Sequence, residues 1–431
     1  MMLRSYKFRI YPNKEVERKL EENLEISRWL YNRLLEEINN ARKEGRNITQ
    51  RDTQALIVKL KEEYPELKKV YSKVLQMVNY QLWGNMRALS GLKKNGKKIG
   101  KLRYKKKDRF KTLNFNQSGF SIDENYNRIS LSKIGSLKAK IHRKIDGKVK
   151  GVFVKKYPSG KWYAIVQVET ESEELPRTGR EVGIDVGIKY LLTDSDGNQI
   201  ENPKFYEKTL RRIKGLHKNL SRKQKGSNNW KKAKIKLAKA YEKLNNQRRD
   251  FLHKLSRYYV NNYDFIAVED LNIMNMVRNH RLAQRILDAS WGEFIKMLSY
   301  KVEGTGKTVI KVNPRGTSKG LSFDDPCRDY ISANRILMRG RNYPDTPVER
   351  RPLFLVTAKS VIEGQVFSMN QEVPCVSEGW FTLSDISYAW AFAKRYGFHQ
   401  ICWMPNNYCN TNGGMSFSEG VRKLIFRGLN K

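Results

Sequence analysis

One stretch decides the fold of this chain: Val182-Gly-Ile-Asp-Val-Gly-Ile-Lys-Tyr-Leu-Leu-Thr-Asp-Ser-Asp-Gly-Asn198. Its aliphatic residues are typical of strands and its polar end is typical of a turn, so we predict a strand, a tight return and a second strand from about Gln199. The glycines at 183 and 187 leave room for something close to the backbone. A carboxylate in an apolar strand is unfavourable unless it is paired or binds a cation. Asp185 is therefore either a water-facing residue of a surface hairpin or the first metal-binding carboxylate of a nuclease.

The chain is strongly basic. Its 431 residues carry 84 Lys+Arg and 44 Asp+Glu, a formal net charge of +40, with a pI of about 10.0. This charge argues against an ordinary metabolic enzyme and predicts a polyanionic partner. An acidic membrane surface is the weaker candidate, because no apolar span of about 18 residues exists. Residues 341–431 hold only 10 Lys+Arg and 7 Asp+Glu, so we expect the working body to end near Gly340.

Cysteine usage and the amino terminus favour a cytoplasmic protein. All four cysteines lie beyond residue 326 and no Cys-x-x-Cys pair occurs, so we expect no disulfide framework in the main body. We also expect no signal peptide at Met1-Met-Leu-Arg-Ser-Tyr6. The prediction is a cytoplasmic, nucleoid-associated protein without a membrane partner.

The first 170 residues predict a β-domain that is interrupted by helices. Residues 3–11 alternate polar and apolar side chains, as a strand does, and Asn13 is suited to cap a following helix. Apolar residues at helical spacing continue to about residue 90, with further helices near 53–63 and 69–90. Strand patterns fill 112–168, where Pro158-Ser-Gly160 turns the last pair into a hairpin. We predict a small β-barrel or sandwich whose first strand is separated from the others by a helical insert.

After residue 180 the chain alternates strands and helices. The opening strands are followed by two long basic helices, an apolar strand, a helix, a short strand and a final helix. The corresponding ranges are 204–225, 229–260, 264–271, 282–302, 308–312 and 329–338. This order predicts an α/β domain with a mixed sheet.

Three carboxylates fall at the ends of these elements. Asp185 lies in the first strand, Glu269 ends an apolar strand, and Asp329 opens the last helix. Three acids that converge at one sheet edge repel one another and would hold two divalent metals, which can activate water and stabilise the leaving oxygen of a phosphodiester. Alternatively, the second and third acids are unrelated element ends. The rival ligands are then Asp270, Asp324 and Asp325.

The densest positive stretch runs from Lys93 to Lys111, with 11 Lys+Arg and one acid. A bare charge run is usually a solvated face, whereas interleaved aromatic residues favour a surface that contacts phosphates and stacks on bases. We therefore predict nucleic-acid contacts by Lys101, Arg103, Tyr104, Lys105, Lys106, Lys107 and Arg109.

Several motifs resemble those of TnpB, the RuvC-like, RNA-guided nuclease family of insertion sequences that is related to the single-protein type V CRISPR effectors. The resemblance covers about residues 3–375, and the motifs occur in the family's order. The matching stretches are Tyr6-Lys-Phe-Arg-Ile-Tyr-Pro12, Arg28-Trp-Leu-Tyr-Asn32, Gly183-Ile-Asp-Val-Gly187, Arg222-Lys-Gln-Lys-Gly226, Arg249-Asp-Phe-Leu-His-Lys-Leu255, Val268-Glu-Asp-Leu271, Asn313-Pro-Arg-Gly-Thr-Ser318, Arg328-Asp-Tyr330 and Gln365-Val-Phe-Ser-Met-Asn-Gln-Glu372.

The resemblance implies a split multidomain architecture of the α+β and α/β kind. Its parts are a wedge β-barrel, an inserted helical recognition domain and an RNase H-like RuvC domain. On this chain the wedge β-domain and its linker take residues 1–11 and 112–180, and the recognition domain takes 12–111. The RuvC-like domain takes 181–340, and 341–431 form a tail of unknown role.

The resemblance also implies a site and its partners. Asp185, Glu269 and Asp329 match the family's catalytic, metal-binding acids, which implies two Mg²⁺ or Mn²⁺ ions. It further implies a guide RNA from the transposon end, and cleavage of complementary double-stranded DNA beside a short motif. In the family, polar residues of the helical and wedge domains read that motif. The candidates here are Gln76, Asn79 and Gln117.

The chain departs from the family before Asp329. The family places a zinc ribbon of two Cys-x-x-Cys pairs there, whereas this chain has only Lys319-Gly-Leu-Ser-Phe-Asp-Asp-Pro-Cys327. One cysteine cannot hold zinc, so we expect no bound zinc, a more open cleft and weak or absent cleavage. Residues 376–431 match nothing in the family. The loose alternative zinc ligands are His399, Cys402 and Cys409.

Four functions stay open at this point. The first is an RNA-guided, metal-dependent DNA endonuclease, and the second is a guided binder or decayed relative that no longer cuts. The third is a transposase with an Asp-Asp-Glu site, and the fourth is a non-enzymatic RNA or chromatin binder. The order of the acids, with Glu second and Asp last, argues against the transposase. The retained acids favour the first function, and the missing ribbon favours the second.

Overall fold

Two seven-stranded sheets organise the molecule. The computed structural model describes residues 2–107, 109–172, 174–344, 347–364 and 371–373. Our expectations for residues 376–431, including the loose zinc ligands, lie outside the described residues. Among those that are described, no helix is long and apolar enough to cross a membrane.

The first sheet is antiparallel, nearly closed and barrel-like. Its strands are β1 (Met2–Tyr11), β2 (Thr112–Asn116), β3 (Phe120–Asp123), β4 (Arg128–Leu131), β5 (Gly135–Lys140), β6 (Lys148–Lys156) and β7 (Trp162–Thr170), in the order β2-β6-β7-β1-β5-β4-β3. The predicted first strand and the hairpin are confirmed: β1 pairs with β7 and β5, and β6 pairs with β7.

Three helices separate β1 from the other strands of this sheet, as predicted. They are α1 (Lys14–Lys43), α2 (Gln50–Glu63) and α3 (Ser72–Lys94). Asn13 caps α1, where its side chain accepts a hydrogen bond from the Val16 amide at 2.8 Å. The apolar stripes of the helices and the inner face of the sheet form one continuous hydrophobic core, so the insert packs directly on the β-domain.

The second sheet begins with the stretch that decides the fold. Its strands are β8 (Glu181–Val186), β9 (Tyr190–Asp194), β10 (Asn198–Glu201), β11 (Phe265–Glu269), β12 (Thr308–Val312), β13 (Leu353–Val356) and β14 (Gln371–Val373), in the order β12-β11-β8-β9-β10-β13-β14. β8, β11 and β12 run parallel, β9 is antiparallel to β8 and β10, and β10 is parallel to β13.

The prediction for the opening stretch was one strand short. The chain already reverses at Gly187, whose amide donates to the Leu191 carbonyl at 3.1 Å, so β9 is formed by residues that were expected to continue the first strand. The polar turn is the second reversal. There Asp194 accepts hydrogen bonds from the Asp196 and Asn198 amides, at 3.0 and 2.8 Å.

Helices cover both faces of the second sheet. They are α4 (Phe205–Ser221), α5 (Asn228–Asn262), α6 (Ile273–Met276), α7 (His280–Ala289), α8 (Trp291–Val302), α9 (Arg328–Gly340) and α10 (Ala358–Glu363). α5 and α8 pack on the face that carries Val182 and Ile184, whereas α9 packs on the opposite face. The single helix expected over 282–302 is wrong, because Ser290 adopts a left-handed conformation (φ 57°) and separates α7 from α8.

The expected boundary near Gly340 falls too early. β13 pairs with β10, and β14 pairs with β13, so the second sheet continues to Val373. The fall in net charge after residue 340 therefore does not mark where the fold ends.

Candidate active site and nucleic-acid surfaces

Asp185 and Glu269 lie on the same face of the second sheet. β8 and β11 are parallel neighbours whose register pairs Ile184 with Val268, so both carboxylates fall near the carboxyl ends of adjacent strands. Side chains alternate between the two faces of a strand. Asp185 therefore shares the face of Gly183, and Glu269 shares the face of Ala267.

α9 covers this face at unusually short range. A Cβ atom added to Gly183 would lie 2.0 Å from the Ala333 carbonyl oxygen, so only glycine lets the helix backbone lie directly on β8. At its far end α9 is followed by Arg341, which pairs with Glu181 at the start of β8. The helix thus runs antiparallel to β8. Its first turn, which carries Asp329, lies over the end of the strand that carries Asp185.

The three carboxylates affect one another electrostatically. Burial raises the pKa of Asp185 well above its usual value, and the negative charges of Glu269 and Asp329 raise it further. Burial also raises the pKa of Glu269, although the Thr317 hydroxyl and the Arg339 charge oppose that rise. Raised pKa values at converging acids indicate a place where bound cations would be stabilising.

The donor chemistry of these acids fits a divalent cation. Carboxylate oxygens are the ligands that Mg²⁺ and Mn²⁺ prefer, and a cation would relieve the repulsion among the three charges. In the described ranges, no three His, Cys, Asp or Glu side chains are already grouped tightly enough to hold an ion. Glu269 and Asp329 lie near enough to raise the pKa of Asp185, but the described side chains do not form a ready ligand shell.

The rival acids have other contacts or face solvent. Asp270 points to solvent with Lys311 at 3.6 Å, and Asp324 is exposed. Asp325 accepts a hydrogen bond from the Cys327 amide at 2.9 Å and pairs with Arg350 at 2.8 Å, which assigns it to shaping the loop before α9. Each rival thus has a local structural role or faces water.

Sequence reasoning missed two residues of this site. Arg328 lies close enough to lower the pKa of both Asp185 and Asp329, and its buried Nε has no hydrogen-bond partner in the described chain. Thr317 donates its hydroxyl hydrogen to Glu269 Oε1 at 2.8 Å. Both belong to motifs quoted above. Arg328 directly precedes Asp329, which was the available signal for it, whereas nothing in the sequence links Thr317 to Glu269.

A groove opens beside Glu269. It runs along the face of α8 that carries Lys296 and Ser299, and its walls also include Asp270, Leu271, Ile273 and Lys311. The lysines and apolar side chains suit a nucleic-acid strand, which has an anionic backbone and apolar base faces, and Asp270 is paired with Lys311.

The basic stretch at 93–111 is exposed along most of its length. Of the predicted contact residues, Lys101, Arg103, Tyr104, Lys106, Lys107 and Arg109 are exposed. Lys105 is half-buried and acts as an anchor: its amide donates to Asn32 Oδ1 at 2.7 Å, and its carbonyl accepts from Arg28 and Asn32, both at 3.0 Å. The motif residues Arg28 and Asn32 therefore fix this loop on α1.

The three candidates for reading a DNA motif separate in the structure. Gln117 is exposed and Gln76 is half-buried, and their sequence neighbours Asn116 and Met77 are in contact. Asn79 is fully buried and bonds to Thr53 Oγ1 at 2.9 Å. It holds α2 against α3, so its assignment as a DNA contact was wrong.

α4 and α5 form a basic hairpin. Between residues 208 and 241 the sequence has 13 Lys+Arg and no acid, and all 13 side chains are exposed. None of the 13 forms an ion pair with any described residue. The hairpin has a small core of its own around Ile213, Leu237 and Leu244, and its base is fixed to β7 by a hydrogen bond from the Tyr163 hydroxyl to Glu242.

Comparison with known protein families agrees with this layout. Residues 165–280 match the OrfB_IS605 model, described as "Probable transposase", and residues 291–342 match a "Cas12f1-like, TNB domain". Residues 1–47 match a model described as "Helix-turn-helix domain", although residues 2–47 here contain β1 and one long helix, α1.

Curated proteins give sequence relatives over much of the chain. A Streptomyces pristinaespiralis protein named "Putative RNA-guided DNA endonuclease" is 30% identical over 316 residues, which cover 72% of this chain and 77% of the relative. "Putative RNA-guided DNA endonuclease InsQ" of Escherichia coli K12 is 34% identical over 250 residues, or 54% of this chain and 61% of InsQ. The chain thus spans about three fifths of InsQ.

Among solved structures, one similar chain comes from a cryo-EM structure of a Cas12f1-sgRNA-target DNA complex. It has a TM-score of 0.48 and 14% sequence identity, and the match covers 78% of this chain and 98% of that chain.

Proposed function

The chain belongs to the OrfB_IS605 family of insertion-sequence proteins, and from that premise we propose that it is an RNA-guided, metal-dependent DNA endonuclease. The observation that carries the proposal is the placement of Asp185, Glu269 and Asp329 on one face, where two adjacent parallel strands end under the first turn of α9. The names of its relatives supply the substrate class.

The second sheet supports an RNase H-like, RuvC-type domain. Three consecutive antiparallel strands, β8 to β10, are followed by two strands that add in parallel on the other side of β8. This order places β8 in the centre, so its carboxylate lies between neighbours on both sides. We assign residues 181–373 to this domain, and the first sheet and its helices to the wedge and recognition domains.

The chain's own residues divide the work at this site. Asp185, Glu269 and Asp329 would hold two Mg²⁺ or Mn²⁺ ions, which when bound supply water activation and stabilise the leaving oxygen of a phosphodiester. Thr317 orients Glu269. Arg328 has a buried, unpaired N–H group beside the acids and would donate it to the phosphate that is cut.

Substitution of single acids tests the proposed site. Asp185→Ala, Glu269→Ala and Asp329→Ala should each abolish Mg²⁺-dependent cleavage of a plasmid that matches the bound guide, while RNA binding stays near wild type. Asp324→Ala is a matched control because that acid is exposed. Asp329→Ala protein that still cuts, or an Asp324→Ala variant that does not, would move the third ligand to the loop.

We assign guide-RNA binding to two surfaces, the exposed basic stretch at 93–111 and the hairpin of α4 and α5. The hairpin is the stronger case, because no acid lies among the 13 cations between residues 208 and 241. At about 1.5 Å per residue, the acid-free part of α5, residues 228–241, extends for roughly 20 Å, and α4 packs beside it. Uncompensated positive charge along such a length is suited to bind a phosphate backbone rather than single bases.

The salt dependence of RNA binding tests this assignment. Each phosphate contact steepens the slope of log K against log salt by about 0.7–0.9. Replacing Arg222, Lys223 and Lys225 with Gln should therefore flatten the slope by about two units. A matched triple variant, Lys204, Lys148 and Lys150 to Gln, removes the same charge outside the hairpin tip and should change the slope less. Equal slopes for wild type and the hairpin variant would contradict the assignment.

A further inference from the structure

The loop between β12 and α9 is held by side chains of α9. Arg335 donates to the carbonyl oxygens of Thr317 and Lys319, at 3.1 and 2.8 Å. Arg339 donates to those of Arg315 and Gly316, at 2.8 and 3.2 Å. Ser332, Arg335 and Arg339 are spaced along one side of the helix, and the hydroxyl of Ser332 meets that of Ser318 at 3.0 Å. Two arginines on one side of α9 therefore bind four backbone carbonyl groups of the loop, those of residues 315, 316, 317 and 319.

Thr317, whose carbonyl group accepts from Arg335, also binds an acid of the site through its hydroxyl. Thr317 is 3% exposed, and its hydroxyl lies 2.8 Å from Glu269 Oε1. Glu269 is itself buried. A path of direct contacts thus joins α9 to the loop and the loop to Glu269. Because α9 also carries Asp329, two of the three acids are tied to one helix.

A guanidinium group is suited to this task and an ammonium group is not. Arginine presents five N–H donors in a rigid plane and can reach two carbonyl groups at once, whereas lysine is a point charge on a flexible stem. Both arginines are half-buried and their forks are occupied by carbonyl oxygens of the loop. The usual role of exposed arginines, contact with phosphate, does not explain that arrangement.

We propose that Arg335 and Arg339 are positioning residues for the metal site: they set the loop that holds Thr317, and through Thr317 they fix the carboxylate of Glu269 relative to Asp329. The inference rests on the proposed function. Four hydrogen bonds from the two arginines then support this loop in place of a bound metal. The missing cysteines are then no reason to expect weak cleavage.

The experiment uses the full chain with its bound RNA. Mn²⁺ is titrated without target DNA and free Mn²⁺ is measured by electron paramagnetic resonance, and backbone hydrogen exchange of residues 313–327 is followed in parallel. Loss of an outer-shell partner typically weakens metal binding 10–100-fold. Arg335→Lys, Arg339→Lys and Thr317→Val should therefore bind Mn²⁺ about 10–100-fold more weakly. Thr317→Ser, which restores the hydroxyl, should rescue binding.

Hydrogen exchange separates positioning from general destabilisation. The two lysine variants should speed exchange throughout the loop. Thr317→Val leaves the arginine contacts intact and removes only one contact within the loop, that of its hydroxyl with the Pro314 carbonyl oxygen at 3.1 Å, so its effect on loop exchange should be smaller. Arg341→Lys is the matched control, because this arginine pairs with Glu181 away from the loop, and its Mn²⁺ affinity and loop exchange should match wild type. Arg335→Lys, Arg339→Lys and Thr317→Val should lower kcat of DNA cleavage and leave KM unchanged.

Three outcomes would overturn the inference. The first is wild-type Mn²⁺ affinity and loop exchange in both lysine variants. The second is failure of Thr317→Ser to rescue. The third is faster loop exchange in wild type after treatment with a zinc chelator, because a metal and not the arginines would then hold the loop. If wild type binds no Mn²⁺ and cuts no DNA, the proposed function fails instead, so the two failures are distinguishable.

Discussion

Gly183→Ala tests the packing that creates the site. The added Cβ would lie 2.0 Å from the Ala333 carbonyl oxygen and 2.8 Å from the Leu337 amide nitrogen, and real contacts of this kind do not fall below 3.0 Å. α9 must therefore move by about 1 Å. Because both obstructing atoms belong to helix backbone, no side-chain rotation can relieve the clash. We expect a loss of stability near the upper end for overpacking, about 3 kcal/mol.

That loss has two measurable consequences. It should lower the melting temperature by roughly 6–12 °C in differential scanning fluorimetry. The displaced helix carries Asp329, so cleavage at permissive temperature should fall by about 100-fold, as expected for a shift of about 1 Å.

Gly215→Ala is the matched control for this prediction. Gly215 lies in α4 with nothing within 4 Å of its added Cβ, so alanine there should stabilise the protein by up to about 1 kcal/mol. The reasoning is refuted if Gly183→Ala melts within about 2 °C of wild type. Unchanged cleavage by Gly183→Ala would refute it as well.

Two further predictions concern groups outside the acid site. Burial and then the Lys301 charge lower the pKa of His253 from 6.5 to about 4. Between those pH values the unfolded chain binds more protons, so stability falls as pH falls through this window. When the pH is lowered from 7 to 5, the free energy of unfolding of His253→Gln should fall by about 1–2 kcal/mol less than that of wild type. Urea denaturation at the two pH values measures this difference. Asn79→Ala should destabilise the protein by about 2 kcal/mol, because Thr53 loses its buried partner. It should leave the preferred target-adjacent motif unchanged when a randomised plasmid library is cut and sequenced.

The sequence predicted part of the second sheet. It placed Asp185 in the first strand of the sheet and Glu269 at the end of another, and the glycine at 183 signalled a close approach, which the structure identifies as α9. The spacing of apolar residues predicts strands and helices, because the buried positions of each element recur at a fixed interval along the sequence.

Other features could not be predicted, because they depend on contacts between distant segments. Asn79 has the same spacing as its apolar neighbours in α3, so only the partner Thr53, 26 residues away, reveals that it is buried. The extra reversal at Gly187 and the break at Ser290 are set by backbone conformations without a proline or an Asn-Gly pair to signal them. The link from Thr317 to Glu269 spans 48 residues.

The central claim is that bound RNA directs the acids of the second sheet to a chosen DNA. The most direct measurement replaces the guide segment of the bound RNA, about 20 nucleotides in related systems, with one that matches a new site on a plasmid. The flanking motif and the protein are kept unchanged, and the cut ends are sequenced. The cut should move to the new site, require Mg²⁺ and disappear in Asp185→Ala. Cleavage that stays at the old site, or that proceeds equally without RNA, would contradict it.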